Sequence, residues 1–304
     1  MTQRTIAITG ASGLIGTALA THLSSRGDRV VRFVRNGADA PDTITWDPAL
    51  GRIDATRLAG VDAVVHLAGA GIGDKRWTDD YKREILESRT KGTALLASAL
   101  ADAGDHGPKV LLSGSAIGFY GESVTETFTE ESSVGRGFLA DVCAQWEAAA
   151  APAVAAGVRT AFLRTGIVLS PAGGALRKLL PIFKLGAGGR MGNGRQWQSW
   201  ISIDDEVAAI DHLLSSSVSG AVNLTAPNPV TQAEFARTLA KVLNRPAFLP
   251  TPSFGPKLLL GSELADALLF TGQKVLPNAL LADGYRFIHA DLESALRSLL
   301  GKKS

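Results

Sequence analysis

The chain has 304 residues, 45% hydrophobic and 20% charged, so it is long and apolar enough for a sizeable core, and its composition is not that of a disordered chain. Its formal net charge of +2, with no run of five like charges, carries no electrostatic footprint of a nucleic-acid binder. One cysteine, Cys143, leaves no internal disulfide, and no apolar run approaches the ~20 residues of a membrane span.

The chain opens on an apolar run, Thr5 to Ile8, that reads as a short buried strand. No secretory or transit pattern precedes it, which suggests a cytoplasmic protein. A glycine-rich turn, Thr9-Gly10-Ala11-Ser12-Gly13-Leu14-Ile15-Gly16, follows. Leu14, Ile15, Ala18, Leu19 and Leu23 then recur at the spacing of one helix face. Strand, glycine turn and helix in that order offer a dinucleotide pyrophosphate to free N–H groups at a helix N-terminus. Gly10 permits the tight turn, Gly13 the close backbone approach, and Gly16 the packing of helix on strand. The spacing is G-x-x-G-x-x-G, and a βα turn without a ligand shares its composition. The flanking elements favour the cofactor.

Arg29 to Val34 reads as a second strand. An acidic residue near its end would accept from the ribose 2′-OH of NAD, but Val34 and then Arg35 stand there. An arginine suits a 2′-phosphate, so NADP(H) is expected over NAD(H), although a solvated strand-end arginine needs no such role. Thr43 to Trp46 is a short strand. Val61 to Ala70 is a buried parallel strand ending in small residues, and His66 within it reads as a core histidine. A basic-aromatic loop with Lys75 and Trp77 leads to a helix over about 78–103, where Arg89 and Gly92 lie. The strand from Lys109 ends in the loop 113–121. A helix over 138–151 and a strand 159–163 running into Arg164-Thr165-Gly166 follow. Strands alternate with helices, as in a doubly wound parallel sheet.

Beyond Gly166 a short helix over 176–185 precedes the stretch 186–195, too glycine-rich for a regular element. Asp204-Asp205 reads as an acidic cap for a helix over 206–214. A late strand spans 221–225, and Thr231-Gln232-Ala233-Glu234 is a capping box. From Pro250 the chain reads as mostly helical, closing on 292–300.

The segments TGASGLIG, DAVVHLAG, SGSAIGFYG, LRTG and WISIDD together resemble the extended short-chain dehydrogenase/reductases. GDKRWT, SRTKGT, LRTGIVLSPAGG, GNGRQWQSWISIDD and FTGQKVLP resemble its atypical epimerase-related branch, which carries a small helical C-terminal domain of unknown function. The resemblance spans essentially the whole chain. It implies an α/β, Rossmann-like doubly wound parallel sheet over 1–165, with 196–226 returning to it. A smaller, mostly helical substrate-side part would comprise 166–195 and 227–304.

It also implies an NADP-type cofactor held by Gly10, Ser12, Gly13, Leu14, Ile15, Gly16, Arg35, Leu67, Ala68, Gly69, Arg89 and Arg164. A substrate cleft would be lined by Lys75, Trp77, Arg195, Trp197 and Trp200, and no metal is expected. The family's Tyr-x-x-x-Lys pair, in which lysine lowers the tyrosine pKa for proton exchange, is missing. Four residues beyond Tyr81, Tyr120 and Tyr285 stand Ile85, Val124 and His289, and alignment on Glu147 puts Leu139 and Cys143 in the two slots. Ser115 with Tyr120 is the candidate replacement, Tyr120 being equally a packing residue. Two readings follow: an NADP-dependent oxidoreductase or epimerase-like enzyme on a small molecule, sugar-nucleotide-like or otherwise; or a non-catalytic NADP(H) sensor binding a protein partner. The sequence names neither substrate nor oligomeric state.

Overall fold

The computed structural model describes residues 3–35, 40–246, 254, 257–258 and 261–302. Its strands, in chain order, are β1 Thr5–Thr9, β2 Arg29–Val34, β3 Thr43–Asp47, β4 Arg52–Ile53, β5 Ala63–His66, β6 Val110–Ala116, β7 Thr127–Phe128, β8 Arg159–Thr165, β9 Ile167–Leu169, β10 Trp197–Gln198, β11 Trp200–Ser202, β12 Gly220–Leu224, β13 Val230–Thr231 and β14 Lys274–Val275. The longer helices are α1 Leu14–Ser25, α2 Asp79–Ala103, α3 Phe138–Ala148, α4 Ala151–Ala155, α5 Gly174–Lys184, α6 Ile203–Ser215 and α7 Gln232–Leu243. A final helix covers Leu292–Leu299.

Eight strands form one sheet in the order β12-β8-β6-β5-β1-β2-β3-β4. Its pairs are parallel except β3–β4 at the edge. Apolar side chains cover both faces, which is why the central strands read as unbroken hydrophobic runs. On one face Ile6, Ile8, Val65 and Leu163 pack with Leu19 and Leu23 of α1 and Ile210 and Leu213 of α6. On the other, Ala7, Val64 and Leu111 pack with Leu96 and Leu100 of α2 and Ala153 of α4. A third core joins α5, α7 and the final helix around Phe183, Leu239, Leu296 and Trp200.

Register places Thr9 opposite His66, His66 opposite Ser113, and Ser115 opposite Arg164, so the strand ends share one edge. The chain order reverses beside β1, with β2 on one flank and β5 on the other. Such a switch point opens a crevice beyond the strand C-termini.

Two local expectations differ from the structure. α6 is capped by Ser202, whose hydroxyl accepts from the Asp205 N–H at 3.0 Å; Asp205 itself turns inward. Its carboxylate accepts from Ile288 N–H and His289 N–H at 2.7 and 2.9 Å, which ties the C-terminal part to the sheet domain. The helix expected over 138–151 divides into α3 and α4, with Pro152 entering the first turn of α4.

Candidate functional site

The crevice is built from the glycine turn outward. Gly10 has φ +65°, and a Cβ there would lie 2.9 Å from the Leu67 carbonyl. A Cβ on Gly16 would lie 2.2 Å from the Gly10 oxygen, so the helix can seat on the turn only without one. Gly13 is the N-cap of α1, makes no side-chain cap, and precedes a first turn without acidic residues. The first N–H groups of α1 therefore face outward uncapped, the condition for receiving an anion.

The end of β5 is locked to β1 by one hydroxyl. Thr9 Oγ1 accepts from the N–H groups of Leu67 and Ala68 at 3.0 and 3.1 Å. Its own proton is then left for His66 Nδ1 at 2.7 Å, and His66 Nε2 donates to Thr93 Oγ1 at 3.0 Å. Burial pushes the His66 pKa down to about 4, so the ring is neutral and structural.

The resulting cleft has a volume of about 350 Å³. Gly10, Gly13, Leu14, Ile15, Gly16 and Leu67 line one side, and Gly114, Ser115 and Trp146 line the end of β6 and α3. Thr165, Ile167, Val168, Gly174 and Ala175 complete the lining, Gly174 lying beside Leu14. A Cβ on Gly114 would lie 2.8 Å from Trp146 Cζ2, so that glycine is what admits the indole. Of the residues expected around the cofactor, Ser12 is exposed on the turn, and Arg35 is exposed just past β2. Arg89 packs behind Gly69, where a Cβ would lie 3.3 Å from its Cγ and Cζ.

Several candidates stand elsewhere. Tyr120 is buried and does not line the cleft; its ring stacks on Phe128 at 5.3 Å. Its hydroxyl donates to Asn223 Oδ1 at 2.6 Å and accepts from Arg164 Nη1 at 3.0 Å, and burial raises its pKa. Arg164 points into the same interior, its guanidinium 3.4 Å from the Phe119 ring centroid and bound to both oxygens of Glu147 at 2.8 and 2.9 Å. Burial opposes that charge, but the bonds to Glu147 and Tyr120 outweigh it and raise the Arg164 pKa.

Trp200 is a core residue, fully buried, with its indole N–H on the Asn228 carbonyl at 3.1 Å. Trp77 donates to the Ile72 carbonyl and packs edge-on against Phe138; Trp197 donates to the Val124 carbonyl. Lys75 is exposed and paired with Glu84, and Arg195 is exposed. None of these five lines the 350 Å³ cleft.

Ser115 does line it, and its chemistry is constrained. Its hydroxyl donates to Glu147 Oε1 at 2.6 Å, and both Glu147 oxygens also accept from Arg164. A hydroxyl has one proton, so Ser115 offers the cleft only lone pairs and accepts from whatever binds there. Of the candidate replacement pair, Ser115 thus has its proton committed to Glu147, and the Tyr120 hydroxyl lies outside the cleft.

Leu139 and Cys143 lie one turn apart on α3, against Gly118. Burial pushes the Cys143 thiol up to about 11, with Glu147 adding to the effect, so it stays protonated. Trp146, Thr165 and Glu206 escaped the sequence reading. Trp146 falls on the helix face shared by positions 139 and 143, a spacing that contained the signal. Glu206 gave none: it is fully buried, and its Oε1 accepts from Thr165 at 3.0 Å while its Oε2 has no hydrogen-bond partner among the described residues.

Comparison with known proteins agrees with this architecture. Residues 6–225 match the model of the NAD dependent epimerase/dehydratase family, and residues 251–299 match a domain of unknown function, DUF1731. An epimerase family protein of Mycobacterium bovis, Mb2239, is 42% identical over 297 residues, covering 97% of both chains. The crystal structure of human epimerase family protein SDR39U1 (isoform 2) with NADPH superposes with a TM-score of 0.88 at 35% identity, covering 98% of this chain and 99% of that one. A nucleoside-diphosphate sugar epimerase from Corynebacterium glutamicum superposes with a TM-score of 0.80 at 37% identity, covering 99% of this chain and 59% of that one. The fold, including the helical C-terminal part, is thus shared along the full length, and the chain belongs to the NAD dependent epimerase/dehydratase family.

Proposed function

We propose that this chain is an NADP(H)-dependent oxidoreductase or epimerase-like enzyme acting on a small molecule without a tyrosine–lysine dyad. The observation that carries the proposal is the cleft itself. It joins an uncapped helix N-terminus seated on three glycines to a second region walled by Ser115, Trp146 and Thr165. The first region fits a dinucleotide: Gly13 leaves room where a side chain would meet the pyrophosphate, and the α1 dipole favours its charge. Leu67, Ala68 and Gly69 supply small or apolar surface along the β5 end. Arg35, exposed beyond β2 with no carboxylate partner among the described residues, suits a 2′-phosphate. That the human SDR39U1 structure contains NADPH supports the same choice.

A reduced nicotinamide, when bound, supplies hydride chemistry. The chain's own part is to orient and to exclude water. Ser115 accepts a hydrogen bond from the bound molecule, Trp146 and Ile167 provide dry walls, and the Thr165 hydroxyl is anchored on Glu206. A second reading, a cofactor sensor without turnover, is favoured by one observation: neither Leu139 nor Cys143 can exchange a proton at neutral pH. Calorimetric titration tests the proposal. NADPH should bind more tightly than NADH, and Arg35→Ala should narrow that gap by about tenfold to a hundredfold, the range for one charged hydrogen bond. Equal affinities in the wild type would overturn the NADP assignment. NADPH binding without turnover across a broad panel of carbonyls and sugar nucleotides would favour the sensor.

A further inference from the structure

Among the described residues lining the cleft, two carry hydroxyls, Ser115 and Thr165, and none carries a titratable side chain. Each hydroxyl is backed by a glutamate. Ser115 donates to Glu147, which is paired with Arg164. Thr165, the last residue of β8, bonds to Glu206 Oε1 at 3.0 Å; its contact with the Leu163 carbonyl, at 3.4 Å, is long. Glu206 is fully buried, with no cation partner among the described residues and no hydrogen bond to any of them at Oε2. A carboxyl buried without a counter-charge keeps its proton, and burial pushes Glu206 up to about 8. The charged groups nearby are engaged elsewhere. Asp205, its neighbour on α6, is bonded to Ser202, Tyr285 and the N–H groups of Ile288 and His289. Arg4, His22 and Arg26 pair with Asp211, further along α6.

A protonated Glu206 can donate through Oε1 to Thr165 and so free the threonine's own proton, whereas Ser115 has none to give. Resting on the enzymatic reading above, we propose that Thr165 and Glu206 are the proton source of the cleft, Thr165 touching the bound molecule and Glu206 resupplying Thr165. The pair fills the place of the missing tyrosine and lysine. In a carbonyl reduction the carbon gains a hydride, with its electron pair, from the reduced nicotinamide. The carbonyl oxygen gains the Thr165 proton, and Thr165 regains one from Glu206. The carboxylate that remains is reprotonated from water once the product has left. Its negative charge then accompanies the positive charge of the oxidised nicotinamide, so the oxidised cofactor favours the ionised carboxyl.

Calorimetric titration of the full-length protein with NADP⁺ and with NADPH, each in two buffers of different ionisation enthalpy, counts the protons released on binding. At pH 8 wild type should release about 0.4 proton more with NADP⁺ than with NADPH, as for a pKa lowered about one unit by the added charge. The difference should shrink toward pH 6. Cys143, pushed up to about 11, and His66, pushed down to about 4, titrate too far from pH 8 to supply it. Glu206→Gln should abolish the difference. Thr165→Val removes the hydrogen bond that favours the carboxylate, so its greatest difference should move to higher pH. That shift carries the test if the glutamine variant does not fold. With a carbonyl compound that the wild type reduces, both variants should lower kcat by about 10²–10⁴-fold and leave KM within about threefold. Equal proton release for the two cofactor forms, a difference that survives in Glu206→Gln, or an unchanged kcat in either variant would overturn the inference. Binding of neither form would defeat the NADP(H) reading, and the inference with it. A Glu206-dependent difference without turnover of any carbonyl would defeat the enzymatic reading alone, leaving a carboxyl that senses the cofactor but supplies no proton.

Discussion

Glutamine at position 206 would isolate a single buried charge. Glu206 lies fully buried in the first turn of α6, bonded through Oε1 to Thr165 and through Oε2 to no described residue. Burial moves its pKa from the ordinary 4.5 up to about 8. As pH rises past 4.5 the unfolded chain releases this proton first, which favours unfolding. The stability loss grows until the native group also ionises near pH 8, then levels off. At about 1.4 kcal/mol for each tenfold change in proton concentration, the full loss is on the order of 5 kcal/mol, with roughly 3 of it reached by pH 7.

Glutamine has nearly the same shape, keeps a carbonyl for the Thr165 hydroxyl and does not titrate. Its amide nitrogen replaces an unpartnered oxygen, a constant cost of about 1–3 kcal/mol that is the same at every pH. Urea unfolding at pH 5, 6, 7 and 8 should therefore show the difference between Glu206→Gln and wild type moving steadily in favour of the variant, and levelling above pH 8. Parallel pH profiles for the two proteins would refute the argument, because the carboxyl would then titrate alike in the folded and unfolded chains.

Two further outcomes follow from the cleft and its supporting network. Gly13→Val should abolish detectable NADPH binding in a fluorescence titration while far-ultraviolet circular dichroism keeps the native spectrum. Its Cβ would lie 3.2 Å from the Gly10 oxygen, so the unfolding midpoint should also fall modestly. Arg164→Met leaves the nearly buried Glu147 carboxylate without its bidentate partner and should lower the unfolding free energy in urea by about 3–5 kcal/mol. Wild-type stability in that variant would mean that the pair contributes nothing.

The β1–turn–α1 unit was legible because its physics is local. The left-handed conformation at Gly10 belongs to its own backbone, and the seat of the helix at Gly16 depends on Gly10 just before it. The parallel sheet was legible for a similar reason, since strands covered on both faces must be apolar throughout. Two-residue strands such as β7, β10, β13 and β14 carry no period, and they form only because tertiary packing brings their partners alongside.

The side-chain roles were decided the same way. Ser115 is an acceptor because of Glu147, 32 residues later, and Tyr120 is withdrawn from the cleft by Asn223, 103 residues later. Trp200 and Trp197 are close in sequence, yet one lies in the third core while the other is partly exposed beside Val124. Residue type and spacing set what each side chain is able to do. The direction of a hydroxyl proton, or the pairing of Arg164 with Glu147, exists only once separate segments have packed, because hydrogen bonds and ion pairs depend on separation in space and not along the chain.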